Sequence, residues 1–529
     1  MSNNPAHVAA DTEDSRLAAW IPLPGSPDAD LLNELGTMTS RARDLVRNNP
    51  IASGVRQTLC DNIIGSQLRL SAQPQYRFLG ETKDWAVELG NAIEDEFATW
   101  AESTECDITR TQTLLGLTVQ ALAGALVNGD SIGLMLWQER PDCRWATRIQ
   151  VLEADRLQTP PWLLGNNKVR SGVEIDKYGA PVAYWFNKVH PGDQYGYLLM
   201  ANQQNWERVP AFTSWGRRRV IHLYDKERPE QNRGKSIFAA VMREFKVAGE
   251  YLGAELQAAA ANALIAAFLE ANLDAESTAA IFGTTPDTAT GYWKDVADKY
   301  NRKKMEGGMF LTLPVGTKLS GYNSNRPNTA FVGFMESILR HIAAGVNLPY
   351  ELLLKDFSKT NYSSARAALL EAWRFFNSKR RWLQDAWLNP IYECWLEEAV
   401  DKKRIEAPGY YENRYAYRRG RWIFSGRGWV DPVKEANAAQ LRITNFLTTL
   451  EQECAEQGLV WEEVMEQQAR EQQKREELGL QAEVVDPNAT TDPATPNPDT
   501  AEDDEGTGGD VAVEENAEAE DESAVGGDA

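Results

Sequence analysis

The chain has 529 residues, of which 43% are hydrophobic and 25% charged, the make-up of a folded protein large enough for several cores. The formal net charge is −22, but residues 481–529 hold 16 acidic side chains and no Lys or Arg, so the first 480 residues carry only −6. That excludes a globally basic nucleic-acid binder, because neutralising phosphates takes an excess of Lys and Arg.

Residues 1–38, rich in Pro, Ala and Asp, read as a flexible arm. Helical signals start at Thr39, break at Pro50, resume through Ile51–Ile64 and stop at Gly65. Ser66–Ala72 alternates like a strand. Trp85, Leu89, Ile93, Phe97 and Trp100 recur every three or four residues, which predicts an amphipathic helix over Glu81–Ser103. A second, mostly apolar helix is expected over Thr111–Asn128. Strands follow at Ser131–Gln138 and Arg148–Leu152. Gly172–Ile175 and Pro181–Val189 flank Asp176-Lys177-Tyr178-Gly179 as a hairpin, and Tyr195–Ala201 and Arg219–Tyr224 add two more strands. Residues 39–234 thus form an α+β region.

Beyond it the pattern is mainly helical. One long helix is expected from Ser236 to about Leu269, roughly 50 Å at 1.5 Å per residue. Residues 271–327 are loop-rich, with short strands at Met309–Leu313 and Thr317–Ser320. Thr329–Ala344 is a further helix, and a very long helical pattern runs from Tyr362 to about Val400, where Pro390 should kink it. Arg414–Trp429 is basic and aromatic, helices return up to about Leu480, and the acidic tail is too poor in large apolar side chains to fold alone. The fold class is α+β, mainly α.

The chemical motifs are sparse. Gly234-Lys235-Ser236 lies between a strand and a helix, as in a phosphate-binding loop, but the first glycine of GxxxxGK[ST] would be residue 229, which is Pro229. Proline removes an N–H and fixes φ, so that loop could not wrap a phosphate. The basic clusters Arg217-Arg218-Arg219, Lys379-Arg380-Arg381 and Arg418-Arg419-Gly420-Arg421-Trp422 are interspersed with acids, which favours ion pairs or solvated faces over nucleic-acid contact. His222 and His341 lie on apolar elements, where structural roles outweigh catalysis. The five cysteines form no CxxC pair, and no His sits at metal-ligand spacing from another His or Cys. The N-terminus lacks the basic and apolar regions of a signal peptide. The longest apolar run, Ala258–Leu269, is too short for a bilayer span of about 20 residues. No catalytic residue, metal site or cofactor is expected.

Collinear stretches along the chain resemble lambda-like bacteriophage portal proteins: RARDLVRNNPIASGVRQTLCDNIIGSQLRLSAQP (Arg41–Pro74), VLEADRLQTP (Val151–Pro160), GVEIDKYGAPVAYW (Gly172–Trp185), IHLYDKERPEQNRGKS (Ile221–Ser236), FSKTNYSSARAALLEAWRFF (Phe357–Phe376) and WVDPVKEANAAQ (Trp429–Gln440). The resemblance covers about residues 40–480 and leaves out the arm and the acidic tail. It implies a subunit of a ring, usually of twelve copies, at one capsid vertex, through which double-stranded DNA is packaged and later ejected without sequence specificity. On that basis residues 39–234 would be the wing, 235–270 a stem helix, 271–327 the clip, and 328–345 a second stem helix. Residues 346–361 would be the tunnel loop, 362–428 the long wing helix with the basic-aromatic segment, 429–480 the helical crown and 481–529 a disordered acidic tail. The partners implied are further copies of the chain, the terminase large subunit, the major capsid or scaffold protein and the head–tail connector. The location implied is the portal vertex of the virion, after assembly in the bacterial host cytoplasm. Within the tunnel loop Lys355, Asp356, Ser358, Lys359, Thr360 and Asn361 form a mixed polar tip that would touch DNA in the channel. The plain alternative for that tip is a surface loop capping the next helix through Asn361 or Ser363. Two other readings are a packaging ATPase or nuclease subunit, which lacks its phosphate loop and carboxylate cluster here, and a head–tail adaptor without a channel, which would not need such long helices.

Overall fold

The computed structural model describes residue 9 and residues 14–193, 202–264, 268–270, 318–320, 331–428 and 432–479. It divides into residues 1–464 and residues 465–529, the described part of the latter being the end of one helix and the turn after it. Helices α1 (Pro27–Leu31), α2 (Leu35–Asn48) and α3 (Pro50–Ile63) come first. The break at Pro50 is a helix start: the Asn49 side chain accepts from the Ile51 and Ala52 amides at 3.0 and 3.2 Å, and proline, lacking an N–H, suits the first position. Strand β1 (Leu68–Ala72), the single turn α4 (Tyr76–Leu79) and helix α5 (Lys83–Ala101) follow. α5 buries Leu89, Ile93, Phe97 and Trp100, the face its periodicity selects. Helix α6 (Leu114–Asn128) is closed by Gly129 at φ 97°.

Two antiparallel sheets complete this region. β2 (Asp130–Trp137) pairs with β3 (Thr147–Leu152) on one side, while β4 (Val169–Arg170), β5 (Val173–Ile175), β6 (Pro181–Asn187) and β7 (Trp206–Pro210) form the second sheet in sequence order. β8 (Val220–Tyr224) covers the other edge of β2. The Asp176–Gly179 turn joins β5 to β6, with Asp176 accepting the Tyr178 and Ala180 amides at 2.8 Å each.

Helix α7 (Met242–Leu264) precedes the paired strands β9 (Phe268–Glu270) and β10 (Lys318–Ser320). Then come α8 (Phe331–Gly345), α9 (Tyr350–Leu354), α10 (Tyr362–Leu383), α11 (Asn389–Asp401), α12 (Arg414–Tyr417), strand β11 (Gly420–Phe424), and helices α13 (Pro432–Thr444), α14 (Leu450–Glu456) and α15 (Trp461–Glu477). β11 pairs antiparallel with β1, Leu68 opposite Phe424 and Ala72 opposite Gly420. The core gathers around aromatic rings: Trp395 lies 5.0 Å from Phe97 and 4.9 Å from Trp145, and Trp422 lies 5.8 Å from Phe97.

The structure differs from the sequence reading in several places. The expected arm contains α1 and the start of α2, because buried Asp28 accepts the Asn232 backbone amide at 3.1 Å and its side-chain amide at 2.8 Å. The helix expected from Ser236 starts six residues later. Before it the chain makes tighter turns, the Ala239 amide donating to the Ser236 carbonyl at 3.0 Å and Val241 to Phe238 at 2.9 Å, while Ile237 donates to Leu126 at 2.9 Å and Phe238 and Val241 are buried. The long pattern from Tyr362 is two helices joined by a π-helical turn, Gln384–Leu388. Pro390 cannot donate to the carbonyl four residues back and its ring crowds that oxygen, so the turn before it widens. The expected loop 346–361 contains α9, and the basic-aromatic segment contains β11. Strands β4 and β7 were not expected. The strands expected at Tyr195–Ala201 and Met309–Leu313, nearly all of 271–327, and the acidic tail lie outside the described residues.

Candidate functional site

The segment between α8 and α10 is held at its base and open at its tip. α8 ends where the Val346 amide donates to the Ile342 carbonyl at 3.1 Å and Leu348 donates to Ala343 at 3.0 Å. Gly345 abuts Val241, so a side chain there would collide with it. Val346, Leu348 and Leu353 are buried and fix the base. α9 then ends at Lys355, a non-glycine residue in the left-handed region at φ 56°, and the Asp356 amide returns to the Glu351 carbonyl at 3.1 Å. From Lys355 to Lys359 the chain is exposed.

The six tip residues are brought together, but not in equivalent roles. Asp356 accepts the Ser358 amide at 2.9 Å, and its bonds to the Ser358 side chain and amide hold its carboxyl below the ordinary range. Thr360 folds back through its hydroxyl onto the Phe357 carbonyl at 3.0 Å. Asn361 caps α10, accepting the Ser364 amide at 2.8 Å. Lys359 reaches Glu336 of α8 at 3.8 Å, while Lys355 has no ion-pair partner among the described residues. Glu336 is also bound by Arg340 at 2.8 Å; that bond and then Lys359 keep its carboxyl low. The Arg340 guanidinium lies 4.7 Å from the centre of the Tyr350 ring. Glu336 and Arg340 were missed by sequence reasoning, although their i,i+4 spacing signals a helix pair.

The Gly-Lys-Ser motif has a structural explanation. Gly234 passes so close to the Gly129 carbonyl that a Cβ would overlap it. Lys235 pairs with Glu227 at 2.6 Å, and buried Ser236 accepts the Phe238 amide at 3.2 Å. Beside it lies a buried charge cluster. The Asp130 carboxylate accepts from Arg233, including Nη2 at 3.2 Å, and lies 3.2 Å from His222 Nε2. Burial alone would raise the Asp130 carboxyl, but Arg233 and His222 hold it well below its ordinary range. Burial pushes His222 down and favours the neutral ring.

The basic clusters are largely consumed internally. Arg217 donates to Thr147 Oγ1 at 2.8 Å, Lys379 pairs with Asp225, and Arg418 pairs with Glu393 at 2.7 Å. Arg380 donates to the Ile63, Asn62 and Ser425 carbonyls at 2.8, 3.0 and 2.8 Å and so caps the end of α3. Burial lowers its guanidinium to about 10. Glu153, Asp155 and His190 converge, but Arg43 inserts between the two carboxylates, 3.0 Å from Glu153. Among the described residues no helix is long and apolar enough to cross a membrane.

The family model for phage portal proteins of the lambda family matches residues 13–380. Portal protein B of Escherichia phage lambda is 30% identical over 481 residues, covering 88% of this chain and 89% of that protein. The portal protein of Escherichia phage N15 is 30% identical over 480 residues with the same coverage. Among solved structures, a chain in the neck of a native gene transfer agent particle, computed with C12 symmetry, aligns at a TM-score of 0.39 and 12% identity, covering 79% of this chain and 91% of that one. With the family match spanning well over half of its length, this chain belongs to the lambda family of phage portal proteins.

Proposed function

We propose that the chain assembles into a closed ring, of twelve copies, at one vertex of the capsid, and that DNA enters and leaves the head through its centre. Beyond the family membership, the observation that carries the ring is the exposure of large apolar side chains on two packed helices, α7 and α8. Leu252 and Leu256 on α7 and Val332 and Phe334 on α8 are 44%, 63%, 62% and 47% exposed, although Tyr251 packs 4.9 Å from Phe334 between the two helices. Two adjacent helices presenting apolar side chains to water favour burial against a neighbouring copy. The terminase large subunit, the capsid or scaffold protein and the head–tail connector are the partners in this reading, and the protein itself hydrolyses nothing. The 346–361 segment projects into the channel, where Lys355 and Lys359 touch passing phosphates. Asp356 and Glu336 keep that contact weak enough to slide.

The test has two arms. Native mass spectrometry and electron microscopy of the purified protein should show closed rings; only monomer or dimer across several salt concentrations would refute the ring. Replacing Lys355 and Lys359 by alanine should leave rings intact while reducing packaging or retention of DNA. Unchanged packaging and ejection would remove these lysines from the mechanism.

A further inference from the structure

Three segments meet around a cavity of about 210 Å³: the loop before β8, the middle of α11, and α12 with the residue that follows it. The residues that line it include four arginines, Arg217, Arg218, Arg414 and Arg418, against two glutamates, Glu393 and Glu397, a formal excess of two positive charges. Arg418 closes on Glu393 at 2.7 Å. Glu397 is treated differently. It is only 5% exposed, yet Arg217 and Arg414 stop 3.8 and 3.6 Å from its carboxylate, beyond hydrogen-bond reach.

The next residue shows what a closed set looks like. Glu398 accepts the Ala146 and Thr147 amides at 2.6 and 2.7 Å and pairs with Lys402 at 2.7 Å. A buried charge ordinarily requires such closure. Around Glu397 the two guanidinium groups instead stop short of its carboxylate, and all three residues border the cavity. Arg218 adds to the imbalance: it lies 4.8 Å from the centre of the Phe212 ring and has no carboxylate partner among the described residues.

We propose that this cavity binds a small, doubly charged tetrahedral oxyanion of the sulfate or phosphate class, recognised by Arg218, Arg414 and Arg418 and tying the three segments together. Guanidinium forks match pairs of tetrahedral oxygens, and the two excess positive charges match a dianion. The volume lies below the roughly 300–1,000 Å³ of sites for larger organic ligands, which favours a small ion. The site is independent of the channel reading, because none of its residues belongs to the 346–361 segment.

Sulfate is the cleaner probe, since it stays doubly charged throughout the working pH range. Isothermal titration calorimetry of sulfate into the full-length assembled protein, in chloride buffer at constant ionic strength, should show one saturable site per chain. Arg218→Gln should weaken binding by about ten-fold or more, the loss of a charge-assisted contact. Glu397→Gln should tighten it, because it removes a repelling charge from the wall. A general loosening of the fold would weaken both, so opposite directions identify the site. If Arg218→Gln fails to fold, Arg418→Gln, on a half-exposed side chain, must show the same weakening. A parallel titration with inorganic phosphate at pH 8 ranks the two anions, and the tighter one names the occupant. No saturable sulfate binding by the unaltered protein, or variants that leave affinity unchanged or shift it in one direction, overturns the proposal.

Discussion

Glu94 on α5 accepts the Ala72 backbone amide at 2.7 Å, at the end of β1. Burial, and behind it the charges of Glu462, Asp95 and Glu463, pushes its carboxyl up to about 7, against the pull of that amide. In the unfolded chain it titrates near about 4.3. Between about pH 4.3 and about pH 7 the unfolded state has therefore released a proton that the folded state keeps, and stability falls as pH rises. Glu94→Gln keeps the acceptor without the charge. After allowance for residual solvent screening it should be more stable than the parent by on the order of 1 kcal/mol at pH 8 and equal to it near pH 4. Thermal unfolding at both pH values checks this; an equal shift at both would show that packing, not charge, is responsible. The Gly-Lys-Ser motif allows an equally local test. Gly234→Ala should cost at least the roughly 1–3 kcal/mol of an overpacked site, because its Cβ meets the Gly129 carbonyl. Lys235→Ala loses a half-exposed ion pair to Glu227 and should cost less than about 1 kcal/mol. Neither the parent nor either variant should hydrolyse ATP. Hydrolysis abolished by Lys235→Ala with the fold intact would restore the phosphate-loop reading.

At the scale of elements, Lys379-Arg380-Arg381 shows why a basic run on a helix is a poor guide to its role. Arg380 turns inward to cap α3, while Arg381 makes an i,i+4 pair with Asp385 at 3.2 Å, its own side chain 77% exposed. Arg380→Met strands three carbonyls and should destabilise by about 2–3 kcal/mol, whereas Arg381→Met should stay within about 0.5 kcal/mol. Denaturant titration of the two proteins side by side decides it, and equal costs would count against the cap. The sequence carried the elements whose signal is local: α5 from its three-and-four spacing, the β5–β6 hairpin from Asp176 and Gly179, the end of α6 from Gly129. It did not carry β11, because Arg421 and Trp422 gain strand geometry only from β1, far away in the chain. The cavity of arginines was invisible for the same reason, being assembled from three segments that sequence cannot bring together. The tip of the 346–361 segment was legible as a group of polar residues. The different employment of Lys355 and Lys359 was not, since it depends on Glu336 of another helix.

For the whole molecule, the charge split between body and tail makes a simple prediction. Removing residues 481–529, which hold 16 acids and no base, should leave ring formation and the unfolding midpoint unchanged, because that segment has too few large apolar side chains to contribute packing. Sedimentation velocity and thermal unfolding of the truncated chain test it, and loss of assembly would make the tail structural. The pairing of β1 with β11 has a consequence in time. Ser66 donates its amide to the Ser425 hydroxyl across 359 positions of sequence, and Arg380 must also arrive before the end of α3 is capped. At roughly 5–20 residues per second, synthesis leaves β1 without its mate for about 20–70 seconds. Contacts of such separation are slow to close and leave a strand edge bare meanwhile. Strand β1 and the end of α3 therefore wait on the ribosome for residues far along the chain, β11 being the last strand among the described residues. Until then β1 keeps an unpaired edge, and a chain truncated before residue 420 never closes it.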